Sequence, residues 1–246
     1  MEIAKYLVVG AIGLLFGSFA NVLIVRIPAG KSIVTPPSHC PHCGHPLRAL
    51  DLVPVLSWLF LKGKCRYCQG RISPRYPLIE LLTAALFVGV FMRWGLSAFT
   101  LAGWVLVIIL VSAAFIDLDE GIIPDVITIP GVILGLAVSF FTIGFLPALW
   151  GALAFGGVLF VAAVISQGGM GGGDIKLAAA IGAFCGLPGA LITLLLSSLL
   201  GTLFGIILIM MGRAGRKTPV KFGPFLAVSA YIAFLFSNEI VMCYLG

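Results

Sequence analysis

The sequence predicts an all-α polytopic membrane protein of about eight transmembrane helices with a small zinc-binding cytoplasmic loop domain. Three observations predict it. The 246 residues are 61% hydrophobic and only 10% charged, with a mean hydropathy of +1.18, whereas a soluble domain carries about a quarter charged residues. Apolar runs recur along most of the chain, and about 20 apolar residues cross a bilayer. The exception is one polar stretch, residues 27–77, which holds two Cys-x-x-Cys pairs. The implied division is a first transmembrane helix at 1–26, a cytoplasmic zinc-binding loop domain at 27–77 and a transmembrane domain at 78–246.

The apolar runs place spans near 6–25, 78–92, 99–117, 126–143, 148–166, 175–187, 190–211 and 224–243. The first runs into Arg26 without an Ala-x-Ala-like cleavage site, so it reads as a retained span rather than a removed signal peptide. The segment at 175–187 is short and is followed by Pro188-Gly189. Such a segment tilts, breaks or enters only partway, and non-helical backbone is tolerated where it lines a water-filled cavity. Alternate loops carry the cations: Arg26 through Arg75, Lys176, and Arg213, Arg216, Lys217 and Lys221 on one side, against Lys5 and Arg93 on the other. That split, thirteen to two, makes the basic side cytoplasmic and puts both termini outside. A basic loop touching anionic lipid accounts for the net charge of +6, and no nucleic-acid partner is needed.

In the polar loop, Cys40-Pro-His-Cys43 and Cys65-Arg-Tyr-Cys68 are separated by 21 residues. Each pair can turn two sulfurs onto one metal, and two pairs complete a tetrahedral zinc-thiolate site. The gap lies just outside the spacing of about 15–20 residues usual for a zinc ribbon. Gly44 after the first pair and Gln69-Gly70 after the second suit knuckle turns. Two disulfides are the competing reading, disfavoured in a reducing cytoplasm. A redox role is the other, and no βαβ pattern surrounds the pairs to support it. Four protein ligands leave no open position, so the metal is structural, supplying stability that so small a loop cannot draw from its own core. His39, His42 and His45 read as supporting or surface groups. Cys185 and Cys243 read as buried small hydrophobes.

The chain has only nine acidic residues, and two stand at membrane boundaries. Asp117 ends an apolar run, and Asp174 follows the glycine cluster 168–173 and opens another. An ionisable group in the bilayer costs roughly 2.5–3.5 kcal/mol at a helix centre unless it is paired, hydrated or used. Of the acids crowding Asp117, Asp119 and Glu120 sit further into water, and Asp125 fits an N-cap; Asp117 is the deepest. Gly171 and Gly173 before Asp174 form a flexible loop, permit close packing, or leave room for a substrate strand. Lys176 pairs with an acid or lipid phosphate, or helps bind substrate. Two carboxylates brought close titrate as a unit, and such a dyad can activate water and protonate a leaving amide nitrogen. Peptide hydrolysis and a proton or cation pathway in a transporter both fit the spacing.

Several blocks together resemble the type IV prepilin peptidases, polytopic aspartic peptidases many of which also N-methylate the new N-terminus. The blocks are Gly13–Pro28, the paired Cys40/Cys43 and Cys65/Cys68, Ile116–Asp125, and Gly171–Gly182 with its Gly-x-Gly-Asp, joined by Arg75–Ala84. They touch most of the first 185 residues without a clear departure from the pattern, while the last two spans match in character. The resemblance implies that residues 78–246 form the peptidase domain and that Asp117 and Asp174 are its catalytic pair. It implies prepilin or pseudopilin substrates, from type IV pilus or type II secretion systems, whose basic leader stays cytoplasmic. Cleavage would fall after a glycine at the inner (cytoplasmic) membrane boundary, with the active site facing the cytoplasm. Methylation implies S-adenosyl-L-methionine as donor, although no soluble G-x-G-x-x-G fold is present and the small residues near Gly10 and Gly17 read as span packing. Glu80 is the best candidate for binding the cofactor or the new amine, against a simple ion pair with Arg75 or Arg71. Asn21 and Arg26 are weaker candidates, and Arg26 also fits snorkelling to lipid phosphates. A peptidase without methyltransferase activity and a proton-coupled transporter are the alternatives.

Overall fold

The computed structural model describes residues 2–166, 170–212 and 221–245. Arg213, Arg216 and Lys217 of the expected basic face, and Gly168 and Gly169 of the glycine cluster, lie outside the described residues. Among the described residues, the regular structure is helical, with two isolated β-bridges in the polar loop. The chain divides into two compact units, Met1–Gly95 and Leu96–Gly246.

In the first unit, α1 (Glu2–Arg26) runs antiparallel to α3 (Arg75–Trp94). The seam is built from glycine. A Cβ at Gly13 would stand 2.6 Å from the Ala84 Cα, and one at Gly17 would stand 2.6 Å from the Glu80 Cα. Backbones approach this closely only where side chains are absent, the usual device of membrane helix pairs. The small residues of α1 therefore serve packing, as expected. Phe16 stacks on Phe87 and Tyr6 meets Phe91 edge-on, both at 5.7 Å between centroids. This packing makes α3 a partner of α1, and the compact unit that they form ends at Gly95. Between them lie a 3₁₀ turn at Ala49–Asp51 and the short α2 (Leu56–Phe60).

The second unit contains α4 (Ala98–Glu120), α5 (Asp125–Ser139), α6 (Phe145–Ile165), α7 (Gly172–Met210) and α8 (Gly223–Leu245). Among the described residues, six helices are long and apolar enough to span, namely α1, α3, α4, α6, α7 and α8, and α7 comprises two helical arms. The segment expected at 126–143 stops at Ser139, giving 15 residues, or about 22 Å. Nor does Asp125 act as its N-cap: Pro124 holds that position and Asp125 is the first helical residue.

The segments expected at 175–187 and 190–211 are the two helical arms of the 39-residue α7, which breaks between them at Gly186, where φ is 65° and ψ is −174°. Only glycine adopts that conformation at low cost, and the break turns the chain back. A straight helix of this length would separate its ends by about 58 Å. Instead, Phe204 of the second arm lies 5.4 Å from Phe225, near the start of α8. The next residues of α8's entry reach Asp117, which is within electrostatic reach of Asp174 at the start of the first arm. The first arm is the core of the unit, with Leu177, Ala178, Ala180, Ile181 and Ala183 fully buried. It meets α5 where Gly131 and Gly135 face Ala180 and Ala183, and α6 where Gly182 packs so closely on the Gly151 backbone that a Cβ would collide with its carbonyl oxygen. Of the two remaining cysteines, Cys185 is only partly buried and Cys243 is exposed, so the apolar neighbourhood in sequence did not bury Cys243.

Candidate active site and metal centre

The acidic site begins at the end of α4. Gly121 caps that helix in the left-handed conformation, its N–H donating to the Asp117 carbonyl at 2.9 Å. Lys221 then crosses to it, its Nζ donating to the carbonyls of Leu118 at 2.7 Å and Asp119 at 3.3 Å. A cation on the last carbonyls complements the negative end of a helix. With the helix end fixed, the Asp117 side chain turns inward and is 5% exposed, while Asp119 and Glu120 are exposed. Its Oδ2 accepts the Gly223 N–H, the first of α8, at 2.9 Å. A Cβ on Gly223 would stand 2.8 Å from that same oxygen.

Asp174 comes from the start of α7. Its N–H donates to the Gly171 carbonyl at 3.1 Å, and its Oδ1 is buried with no hydrogen-bond partner among the described residues. An orphaned buried carboxylate oxygen calls for an explanation. The Asp117 carboxyl lies within electrostatic reach of it. Of the glycines ahead of it, Gly173 packs tightly, a Cβ there lying 2.6 Å from the Ile123 carbonyl oxygen, while Gly171 is exposed. Lys176 donates to both Asp125 oxygens at 2.6 Å. That pair ties the start of α7 to the start of α5.

Sequence reasoning counted Lys221 only as a loop charge and missed Gly223 altogether. The stretch Lys221-Phe-Gly-Pro reads as a helix start, with proline in the first turn. Nothing local in it addresses α4.

In the polar loop the four sulfurs of Cys40, Cys43, Cys65 and Cys68 lie within 4.8 Å of one another, and Cys40 Sγ is 3.9 Å from Cys68 Sγ. A tetrahedron with Zn–S near 2.3 Å has S–S edges of about 3.8 Å, so zinc fits. The two knuckles repeat one design. Cys40 N–H donates to the His45 carbonyl and Cys65 N–H to the Gly70 carbonyl, at 3.0 and 2.8 Å. The N–H two residues on, from His42 and Tyr67, points at the first sulfur of each pair at 3.4 Å. Gly44 and Gln69 take the positive-φ corner. Burial works against the Cys40 thiolate, but the backbone bonds from Cys43 and His42 and the neighbouring thiols bring the thiol down to about 7. The histidines brace the knuckles instead of adding ligands: His42 Nε2 lies 2.9 Å from the Arg71 carbonyl oxygen, and the His45 ring packs 3.7 Å from the Tyr67 ring. Asp51 joins the brace through Arg66 Nε at 2.6 Å and the Tyr67 hydroxyl at 3.2 Å. Its burial opposes ionisation, yet the Arg66 and Arg48 donors and the Tyr67 hydroxyl hold the carboxyl below the usual carboxylate range.

The three cofactor candidates of the first unit converge. Asn21, Arg26 and Glu80 all line one cavity of about 430 Å³ between the helix ends and the polar loop. Asn21 Nδ2 donates to the Tyr76 carbonyl at 3.1 Å and Arg26 to the Ser32 carbonyl at 3.0 Å. Glu80, 7% exposed, accepts the Val55 N–H at 2.7 Å and the Ser18 hydroxyl. These neutral donors occupy it, where an ion pair with Arg71 or Arg75 was the simpler expectation.

Two carboxyls from separate helices, Asp117 buried and Asp174 half-buried, lie within electrostatic reach of one another, an arrangement that an aspartic peptidase would use. Comparison with known proteins agrees. Residues 11–94 match the bacterial peptidase A24 N-terminal domain and residues 104–206 match the type IV leader peptidase family. The chain is 40% identical to a protein of Aeromonas hydrophila over 94% of its own length and 91% of the relative's. It is 35% identical to one of Pseudomonas aeruginosa (95% and 91%) and 36% identical to one of Neisseria gonorrhoeae (93% and 90%). All three relatives are named prepilin leader peptidase/N-methyltransferase. No solved structure is significantly similar to the chain. The chain belongs to the type IV leader peptidase family, as a multi-pass membrane member.

Proposed function

We infer that this protein is a bifunctional enzyme of the bacterial inner membrane that removes the leader peptide of type IV prepilins or pseudopilins and then N-methylates the exposed residue. The observation that carries the peptidase reading is the buried Asp174 Oδ1, without a hydrogen-bond partner among the described residues, within electrostatic reach of the buried Asp117. One charge shared by two such carboxyls suits the aspartic mechanism. The ionised member takes a proton from water as the oxygen attacks the scissile carbonyl, and the protonated member hydrogen-bonds the carbonyl oxygen. The amide nitrogen then leaves with a proton from the dyad. The Gly223 N–H and Lys221 favour placing the negative charge on Asp117.

Around the dyad, the exposed Gly171 leaves backbone room for an extended substrate segment. Gly173 and Lys176 act on substrate by fixing the start of α7 against Ile123 and Asp125. Zinc held by Cys40, Cys43, Cys65 and Cys68 is structural. The thirteen-to-two distribution of basic residues supports a cytoplasm-facing active site next to anionic lipid, suited to a substrate whose basic leader stays on that side. The test is Asp117→Asn and Asp174→Asn with a co-expressed prepilin. Each should abolish cleavage while the protein still accumulates in the membrane, and normal processing by either would sink the dyad. Mass spectrometry of the mature N-terminus, with labelled S-adenosylmethionine supplied, separates the activities: cleavage without an added methyl group removes the second.

A further inference from the structure

We propose that the cavity in the first unit is the S-adenosylmethionine site, with Glu80 as its buried anionic anchor and Trp58 as its aromatic wall. This rests on the methyltransferase reading above. The volume of about 430 Å³ falls within the range of about 300–1,000 Å³ typical of small-molecule sites. The donor set suits the donor molecule. A flat base needs an aromatic face, which Trp58 offers at the cavity wall, its Nε1–H anchored on the Ile72 carbonyl at 3.1 Å. Positive and hydroxyl groups need acceptors, and Glu80 is a nearly buried carboxylate bonded by neutral donors with lone pairs to spare. A carboxylate tail needs cations, and Arg26 and Lys31 stand at the lining.

A second, independent observation marks the same place. Val55 has φ 61° and ψ −51°, and Leu56 N–H donates to the Pro54 carbonyl at 2.6 Å. That is the rare γ-turn, imposed on a β-branched residue for which positive φ is an outlier. The strained Val55 N–H is the group that donates to Glu80. Strain of this kind costs about 1–3 kcal/mol and gathers at ligand clamps. Here it aims one backbone donor at one oxygen, fixing the carboxylate at the cavity. Bound there, the donor supplies an electrophilic methyl group: the substrate amine forms the new N–C bond, the S–C bond breaks with its electron pair left on sulfur, and the amine proton departs to solvent.

The experiment uses the full chain in detergent micelles. Binding of S-adenosylmethionine is measured calorimetrically, and an azido-adenosyl analogue is photocrosslinked and the labelled peptides mapped. Label should fall on peptides carrying Trp58 or Tyr76, and Glu80→Gln should weaken binding about tenfold or more, as expected when a charged acceptor is lost, while its zinc is retained. Should Glu80→Gln misfold and lose zinc, the crosslinking map on the unmodified protein decides alone. Label confined to residues 96–246, or wild-type affinity in both Glu80→Gln and Trp58→Leu, overturns the assignment of the cavity and leaves methylation standing. No donor binding by the wild-type protein overturns the methyltransferase reading itself, and the cavity assignment with it.

Discussion

Gly223→Ala adds one carbon, and the structure dictates where it goes. The new Cβ would lie 2.8 Å from Asp117 Oδ2 and 3.1 Å from both the Cβ and Cγ of that residue, short of ordinary contact by about 0.6 Å at the oxygen. The backbones cannot separate freely, because α4 is capped by Gly121 and held by Lys221. The carboxylate must therefore swing away and stretch or break its 2.9 Å bond to the Gly223 N–H. A hydrogen bond to a charged group contributes about 1.5–3 kcal/mol, and a misplacement of about 1 Å at a reacting group costs about 100-fold. We expect kcat to fall by about 10- to 100-fold, with KM changed much less. The assay is cleavage of purified prepilin by enzyme in micelles, normalised to protein that elutes as a single species. Gly205→Ala is the control, because a Cβ there meets nothing within 4 Å. Wild-type turnover in folded Gly223→Ala would refute the reasoning that this contact positions Asp117.

Three further outcomes follow from the same structure. Cys40→Ser should drop the bound zinc from about one per chain to none and speed proteolysis within residues 27–77, read by elemental analysis and limited trypsin digestion; a folded, metal-free wild-type protein would contradict it. Asp51→Asn should lower the stability of the polar loop by about 0.5–1 kcal/mol, discounted because Arg66 is half exposed. Since the folded carboxyl is held below its unfolded value, that difference is present above about pH 4 and disappears as pH falls through the folded value, which thermal unfolding of both proteins across pH 3–7 (roughly the carboxylate range) would show. Gly186→Ala should cost about 1–3 kcal/mol through the backbone conformation alone, the nearest side-chain atom, Ile143 Cδ1, being 3.3 Å away and free to give; an unchanged Tm would mean that the turn relaxes at no cost.

The parts of the fold written in local chemistry were legible from the chain. Apolar runs mark bilayer helices because water and lipid partition residues one by one, and Cys-x-x-Cys marks a knuckle because the turn and the ligands share four residues. The depth of Asp117 was readable from its place in the run, and its 5% exposure agrees. What misled was length. Residues 126–143 are apolar enough to span, yet the helix ends at Ser139, where the Gly144 N–H takes the Ser139 carbonyl at 2.7 Å. Residues 175–211 read correctly as two segments, since the chain breaks at Gly186 between two helical arms. Asp125 satisfied a capping pattern and was claimed instead by Lys176, 51 residues away in the chain.

By itself, the sequence determined a membrane protein with a four-cysteine site fit for zinc and two acids at helix ends, because hydropathy, ligand spacing and charge act over a few residues. Tertiary structure decided the rest. It brought Lys221 and Gly223, at the entry to α8, to the end of α4 and Asp117, and it closed Asn21, Arg26, Trp58 and Glu80 around one cavity. Those contacts join residues tens to a hundred positions apart. They exist only because glycine seams let helix backbones touch, and no local pattern in the chain states which seams will meet.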